Sequence, residues 1–198
     1  MPVTRALFDS ALEAARAFHT AVPALAEFAP WPDDLRWAGR SAQMVPGAEL
    51  MQRDPGAANE VTRLLQKALC ALAPHIEWRL TYTEDEVGSD FLNRFGWFEL
   101  AGPEGHFLSE QVRLTVGYWG RDLYYPWHQH GPEELYSVVS GGGLFELKGA
   151  DPRRLGPGET CLHPPNSPHA MTTTDEPILT FVMWRGEGLD ELPRMSPS

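Results

Sequence analysis

The sequence predicts a mainly β protein, an antiparallel sandwich or small barrel preceded by a helical extension. From about residue 97, seven or eight short runs rich in β-branched and aromatic residues alternate with turns of glycine, proline and aspartate. Such regularly spaced short strands are typical of β-sandwiches and barrels. Residues 1–96 instead carry apolar residues at helical spacing, interrupted over residues 23–55 by an irregular connector rich in proline and tryptophan.

Three helices are predicted in the extension. Apolar residues recur near helical spacing over residues 5–19, and a second apolar stripe covers residues 61–72 with Asn59 as its N-cap. A short third helix is expected over residues 90–95, with Ser89 as its cap.

The chain is therefore divided into three parts. The helical extension covers residues 1–96, the barrel covers residues 97–187, and a C-terminal tail covers residues 188–198. A length of 198 residues suits one domain with an extension and is enough to bury a sizeable core. We expect the tail to be a loose extension of the barrel.

Composition narrows the class of partner. A formal net charge of −11 and a pI near 5.0 argue against nucleic acid and against anionic membrane surfaces, but not against a cationic or zwitterionic small molecule. No apolar run approaches the length of a membrane span, and early charges interrupt any signal peptide. Two widely separated cysteines indicate free thiols in a reducing compartment. We expect a cytoplasmic protein acting on a small molecule, with a homodimer left open.

A cluster of metal ligands is predicted between residues 128 and 141, which read H-Q-H-G-P-E-E-L-Y-S-V-V-S-G. His128 and His130 are two apart, so in a strand both imidazoles project from one face. Glu134 follows a short loop that can start the next strand, and His169 ends the distant run H-P-P-N-S-P-H. Imidazoles plus one carboxylate, with coordination positions left for water or substrate, are typical of a catalytic divalent metal. Zinc, iron, manganese, nickel and cobalt all accept these ligands.

The ligand spacing resembles the two signature motifs of the cupin superfamily. The first runs from Gly120 through the ligands to Gly141, and the second from Gly158 to His169. The resemblance implies a double-stranded β-helix, a single jelly-roll barrel with its metal inside the mouth. More narrowly, the stretches FLNRFGWFELAGP, YYPWHQHGPEELY, HAMTT and MWRGE resemble the cupin-type dimethylsulfoniopropionate lyases.

This narrower resemblance implies a metal-dependent β-elimination that converts dimethylsulfoniopropionate, or a similar β-substituted carboxylate, to acrylate and dimethyl sulfide. Tyr136 lies two residues after Glu134 and so on the same strand face, where the family's matching tyrosine is implicated as the base. Tyr125 matches a second tyrosine associated with the family's site. Aromatic faces suit a sulfonium, which has no hydrogen-bond donor. The candidates to hold it are Trp127, Tyr124, Trp119 and Trp184.

Two other classes of function remain open from the sequence. A cupin oxygenase or isomerase uses the same ligand set on another small molecule, and a non-catalytic cupin binds one without reaction. Tyr136 on the ligand strand favours the lyase. His163 is interpreted as a residue behind the ligands or at the surface, and Cys161 as a small core residue.

Overall fold

A computed structural model describes residues 3–196 of the chain. Within them are five α-helices, all before the barrel: α1 (Val3–Ala21), α2 (Pro23–Phe28), α3 (Pro46–Arg53), α4 (Arg63–Leu72) and α5 (Glu84–Arg94). The ten strands are β1 (Arg36–Trp37), β2 (Phe95–Gly102), β3 (Phe107–Leu108), β4 (Arg113–Trp119), β5 (Tyr124–Gln129), β6 (Glu133–Leu147), β7 (Arg153–Leu155), β8 (Thr160–His163), β9 (His169–Arg185) and β10 (Arg194–Met195). No helix in this part of the chain is long and apolar enough to cross a membrane.

Two long strands organise the barrel. The 15 residues of β6 and the 17 residues of β9 pair antiparallel along most of their length, with register shifts near Ser140 and Gly143. Beyond β6, β9 also pairs with β4 and β5, and β6 pairs with β7 and β8. All these pairings are antiparallel, so the prediction of a mainly β cupin barrel behind a helical extension is confirmed.

The helices cover one side of the sheet with apolar side chains. In α4, Leu65, Leu69 and Leu72 repeat every three or four residues and are buried in the main core. The Phe18 ring of α1 meets Phe181 of β9 edge to face, with ring centroids 6.1 Å apart. The extension therefore shares the core of the sheet.

The helix predicted over residues 61–72 is present but begins at Arg63. The Asn59 side chain does accept hydrogen bonds from the backbone N–H groups of Val61 and Thr62, at 2.9 and 3.1 Å. Leu64 is 70% exposed, so the apolar stripe predicted over residues 61–72 includes a residue that does not face the core.

The third predicted helix begins earlier than expected, at Glu84, and Ser89 is not its first cap. Thr83 and Glu86 form a capping box, with the Glu86 carboxylate accepting from the Thr83 backbone N–H at 2.8 Å. Gly88, at φ +79°, kinks the helix just before Ser89. The acidic first turn lies before the predicted start of the helix.

The connector over residues 23–55 is more ordered than expected, because α2, α3 and β1 lie within it. Pro23 and Pro46 each occupy the first turn of a helix. A proline is tolerated there because the first N–H groups of a helix have no partner within it. The weak periodicity of the connector had predicted neither helix.

The C-terminal segment is also ordered, in contrast to the loose tail expected. Strand β10 pairs antiparallel with β5, and the Ser196 backbone N–H donates to the carbonyl of Trp127 at 2.9 Å. Leu189 is buried in the core cluster around the site. This pairing satisfies the edge of β5, which would otherwise present unpaired backbone groups.

A glycine at position 141 is required by the bend of β6. Gly141 has φ +67°, and a Cβ there would lie 1.6 Å from the Pro177 carbonyl oxygen. We expect Gly141→Ala to lower the free energy of unfolding by roughly 3 kcal/mol or more, since backbone atoms must move. Gly149 has φ +89° with no atom within 4 Å of an added Cβ, so Gly149→Ala should cost only about 1–2 kcal/mol. Urea denaturation measures both, and equal losses would contradict this explanation.

Candidate metal centre

Four neighbouring strands bring the predicted ligands to one place. His128 is paired with His169 across β5 and β9, and Glu134 at the start of β6 is paired with His163 of β8. His130 lies in the turn between β5 and β6. The side chains of all five residues are buried.

The tightest group consists of His130, Glu134 and His169, whose ligand atoms lie within 4.8 Å of one another. Glu134 Oε2 is 3.0 Å from His130 Nε2 and 3.4 Å from His169 Nε2. These buried residues can bind a metal ion through one carboxylate oxygen and two imidazole nitrogens.

The tautomers of the three histidines are fixed by the backbone. His128 Nδ1 lies 2.7 Å from the Pro126 carbonyl, His130 Nδ1 lies 2.9 Å from that of Pro132, and His169 Nδ1 lies 2.9 Å from that of Ser167. A carbonyl only accepts, so each Nδ1 carries the proton and each Nε2 keeps its lone pair. Within residues 3–196, Nε2 of His130 and of His169 is buried without a hydrogen-bond partner. A metal ion satisfies such lone pairs, so these residues fit one.

The protonation states are those that a metal requires. Burial lowers the pKa of His128 to about 3 and holds that of His169 well below its usual value, so both imidazoles are neutral. Burial opposes ionisation of Glu134, but the neighbouring His130 and His163 hold its pKa well below the usual range. Neutral imidazoles and an ionised carboxylate are the ligand forms, because protonated ligands compete with the metal.

His128 lies beside this group rather than within it. Its ring stacks on that of Tyr125 at 3.8 Å between centroids and meets the His169 ring at 4.1 Å. The structure thus brings three of the four predicted ligands close together and places the fourth against one of them.

Two side chains orient the Glu134 carboxylate. Trp184 Nε1 donates to Oε1 at 2.7 Å, and His163 Nδ1 lies 2.7 Å from Oε2. Burial opposes protonation of His163, but hydrogen bonds with Cys161 and Glu134 raise its pKa to about 9. His163 is therefore a buried residue behind the ligands, the first of the two positions that the sequence allowed.

A cavity is lined in part by Glu134. Its lining includes both predicted catalytic tyrosines, Tyr125 and Tyr136, together with Trp119 and Trp184. Tyr124 is 47% exposed, and with the half-buried Trp127 it borders a separate groove on the outer face of β5. Of the aromatic residues predicted to hold substrate, Trp119 and Trp184 therefore face this cavity and the other two face the outer groove.

Comparison with known proteins places the chain in a family. The family model for dimethylsulfoniopropionate lyase matches residues 48–180. The dimethylsulfoniopropionate lyase DddQ of Ruegeria pomeroyi is 38% identical over 187 residues, which make up 94% of this chain and 93% of that protein. This chain belongs to the dimethylsulfoniopropionate lyase family. This confirms the lyase family that the sequence stretches were found to resemble.

Solved structures of dimethylsulfoniopropionate lyases superimpose closely on this family member. A chain from the crystal structures of the lyases RdDddP and RnDddQII has a TM-score of 0.96 and 59% identity, covering 98% of this chain and all of that one. The crystal structure of DddQ from R. pomeroyi has a TM-score of 0.92 and 37% identity, covering 96% of each chain. The helical extension is therefore shared with these structures as well as the barrel.

Both tyrosines of the cavity have a raised pKa, and Tyr125 also forms a hydrogen bond with Tyr82. The Tyr125 hydroxyl lies 2.6 Å from that of Tyr82, so each fixes the other. Burial first, and then the charge of Glu134, raises the pKa of Tyr136 well above its usual value. Burial also raises the pKa of Tyr125 well above its usual value, with further contributions from Tyr82 and Tyr136.

Three residues of the site were missed in the sequence. Tyr82 precedes α5 in the extension, and Arg113 and Glu99 pair across β4 and β2 with Arg113 Nε donating to Glu99 at 2.9 Å. Glu99 lies within the stretch FLNRFGWFELAGP that carries the lyase resemblance, but no motif surrounds Tyr82 or Arg113. For Glu99 and Arg113, the signal in the sequence was a charged residue in a mostly apolar strand. Such residues are uncommon in buried strands unless their charges pair.

Proposed function

We propose that this chain is a metal-dependent lyase that cleaves dimethylsulfoniopropionate, or a similar small β-substituted carboxylate, to acrylate and dimethyl sulfide. The observation that carries the proposal is one cavity whose lining includes both Glu134 and Tyr136. A metal site and a general base side by side are what a β-elimination next to a carboxylate requires. The lyases named above act on this substrate, and the family relationship supports extending it to this chain.

One divalent ion is proposed for the site, and zinc, iron, manganese, nickel and cobalt all suit these nitrogen and oxygen donors. The residues that would hold it are His128, His130, Glu134 and His169. When bound, it supplies Lewis-acid stabilisation of the negative charge that develops beside the substrate carboxylate. Trp184 and His163 keep the Glu134 oxygens oriented through their hydrogen bonds, and such outer partners typically change metal affinity about 10- to 100-fold.

The chain's own residues then perform the elimination. Tyr136 Oη accepts the α-proton, the freed electron pair forms the carbon–carbon double bond, and the bond from the β-carbon to sulfur breaks with its pair on sulfur. Burial raises the pKa of Tyr136, so without metal its phenol keeps its proton. A metal ion bound beside it would stabilise the phenolate, and the phenolate is the form of Tyr136 that acts as the base. Tyr125 is the second proposed catalytic residue. Its hydroxyl is held by that of Tyr82, and its ring stacks on the ring of His128.

Substrate binding is assigned to the aromatic walls of the cavity. Trp184 and Trp119 line it and offer ring faces to a sulfonium. Trp127 and Tyr124 border the outer groove. We propose that they contact the substrate while it approaches the cavity and not once it is bound. We propose that the enzyme works in the cytoplasm on this small molecule, as a monomer or a homodimer.

Metal dependence provides the test of this function. Protein stripped with a chelator should lose at least nine tenths of its dimethyl sulfide production, and reloading with one divalent metal should restore it. Headspace gas chromatography measures the product, and elemental analysis measures the metal. Full activity in metal-free protein would contradict the proposal, and so would a fully loaded protein that releases no dimethyl sulfide.

A further inference from the structure

Arg113 is a buried cation in the wall of the proposed active-site cavity. Its side chain is 2% exposed, and it lines the cavity together with Glu134 and Tyr136. Buried arginines are uncommon unless they are paired, and here Arg113 Nε donates to Glu99 at 2.9 Å. Nη1 donates to the Glu191 backbone carbonyl at 2.6 Å. Within residues 3–196, Nη2 makes no hydrogen bond.

The guanidinium lies on the same side of the cavity as the metal ligands. Its central carbon is 5.1 Å from the centroid of the Trp184 ring and 5.2 Å from that of Trp97. Trp184 in turn donates to Glu134 and lies 4.3 Å, ring to ring, from His130. Arg113, Trp184 and His130 thus form a stack that ends at the metal site.

A second part of the lining is aromatic and carries no cation. Phe95 and Trp119 have ring centroids 5.2 Å apart, and both approach Tyr125, at 5.9 and 5.5 Å. Such ring faces attract a cation that lacks hydrogen-bond donors. The lining therefore has one cationic side chain, Arg113, and an aromatic wall of Phe95, Trp119 and Tyr125 that carries none.

From this polarity we propose that Arg113 is a specificity-determining residue, which binds the carboxylate end of a zwitterionic substrate and turns its sulfonium toward the aromatic wall. The inference rests on the proposed function for the identity of the substrate. Its physical basis can be tested by binding alone. Glu99 engages Arg113 through Nε, and the remaining guanidinium N–H donors can hydrogen-bond an anion but cannot bind a cation that has no acceptor.

The test compares three small probes of similar size on metal-loaded, full-length protein: propionate as the anion, trimethylsulfonium as the cation and propionamide as the neutral control. Isothermal titration calorimetry measures their affinities for the wild type and for Arg113→Gln, Arg113→Lys and Arg79→Gln. Arg79 is the matched control, since it also approaches Glu99 and the Trp97 ring but does not line the cavity. If Arg113→Gln fails to fold, the double variant Glu99→Gln/Arg113→Gln supplies the same comparison without an unpaired buried carboxylate.

The proposal predicts that Arg113→Gln weakens propionate binding by roughly 10- to 100-fold, as loss of a charged hydrogen-bond partner does. Trimethylsulfonium should bind as well as before or more tightly, and propionamide should be unchanged. Arg113→Lys and Arg79→Gln should both stay near the wild type. Unchanged propionate affinity, or equal weakening of all three probes, would overturn it. Dimethyl sulfide release by the wild type tests the proposed function separately, so the two failures are distinguishable.

Discussion

Replacing Tyr136 with phenylalanine should lower the rate of elimination by about 100-fold or more, the contribution of a positioned base. The ring keeps its packing against Phe145 and His163, at 5.7 and 5.3 Å between centroids, and only the hydroxyl is lost. Metal content and thermal stability should therefore survive. Because proton abstraction belongs to the transition state, the loss should fall on kcat rather than on KM.

Tyr125→Phe provides the matched control for that experiment. It removes the other phenol of the cavity and breaks the 2.6 Å contact with Tyr82, while leaving Tyr136 in place. We expect a smaller loss of kcat than for Tyr136→Phe. Near-full activity in folded, metal-loaded Tyr136→Phe protein would remove Tyr136 from the mechanism and make Tyr125 the base.

Removing two histidines, in His128→Ala/His169→Ala, should abolish both metal retention and activity. Each substitution deletes an imidazole whose Nδ1 is held by the backbone and whose Nε2 is proposed to bind the ion. Elemental analysis after mild purification measures the metal, and the half-buried His75 gives a control substitution, His75→Ala, that should retain it. A metal-replete double variant would contradict the proposed site.

The single variant His128→Ala decides whether His128 is a ligand. If His128 is a ligand, the substitution should weaken metal binding by more than the roughly 10- to 100-fold that an outer partner contributes. A loss within that range would place His128 behind the ligands, which would fit its position outside the group of His130, Glu134 and His169.

The sequence predicted the barrel and the core of the site because both depend on local spacing. Glu134 and Tyr136 share a face through the two-residue period of a strand, and His130 and His169 are identified by motifs of fixed length. The helices of the connector were missed because a proline looks the same in sequence whether it starts a helix or breaks one.

A bulge explains why Tyr125, and not Tyr124, faces the site. Strict alternation would place Tyr124 on the same face as His128, since the two are four residues apart. A register shift between Tyr125 and His128 changes that phase, so Tyr125 becomes the buried partner of His128 and Tyr124 faces outward. Bulges of this kind are not visible in the residue pattern.

The remaining parts of the site depend on contacts between distant segments. Tyr82 and Tyr125 are 43 residues apart, and the Arg113–Glu99 pair exists only because β2 and β4 are neighbours. Neither contact has a local signature, so each required the register of the folded sheet.

We propose that this chain's histidine–glutamate site and Tyr136 together carry out a β-elimination. Its most direct test is product stoichiometry, with dimethylsulfoniopropionate given to metal-loaded protein in the presence and absence of oxygen. Acrylate is followed by nuclear magnetic resonance and dimethyl sulfide by headspace gas chromatography. We expect equal amounts of the two products at the same rate in both atmospheres, since an elimination consumes no oxygen. Absence of dimethyl sulfide, or turnover that requires oxygen, would contradict it.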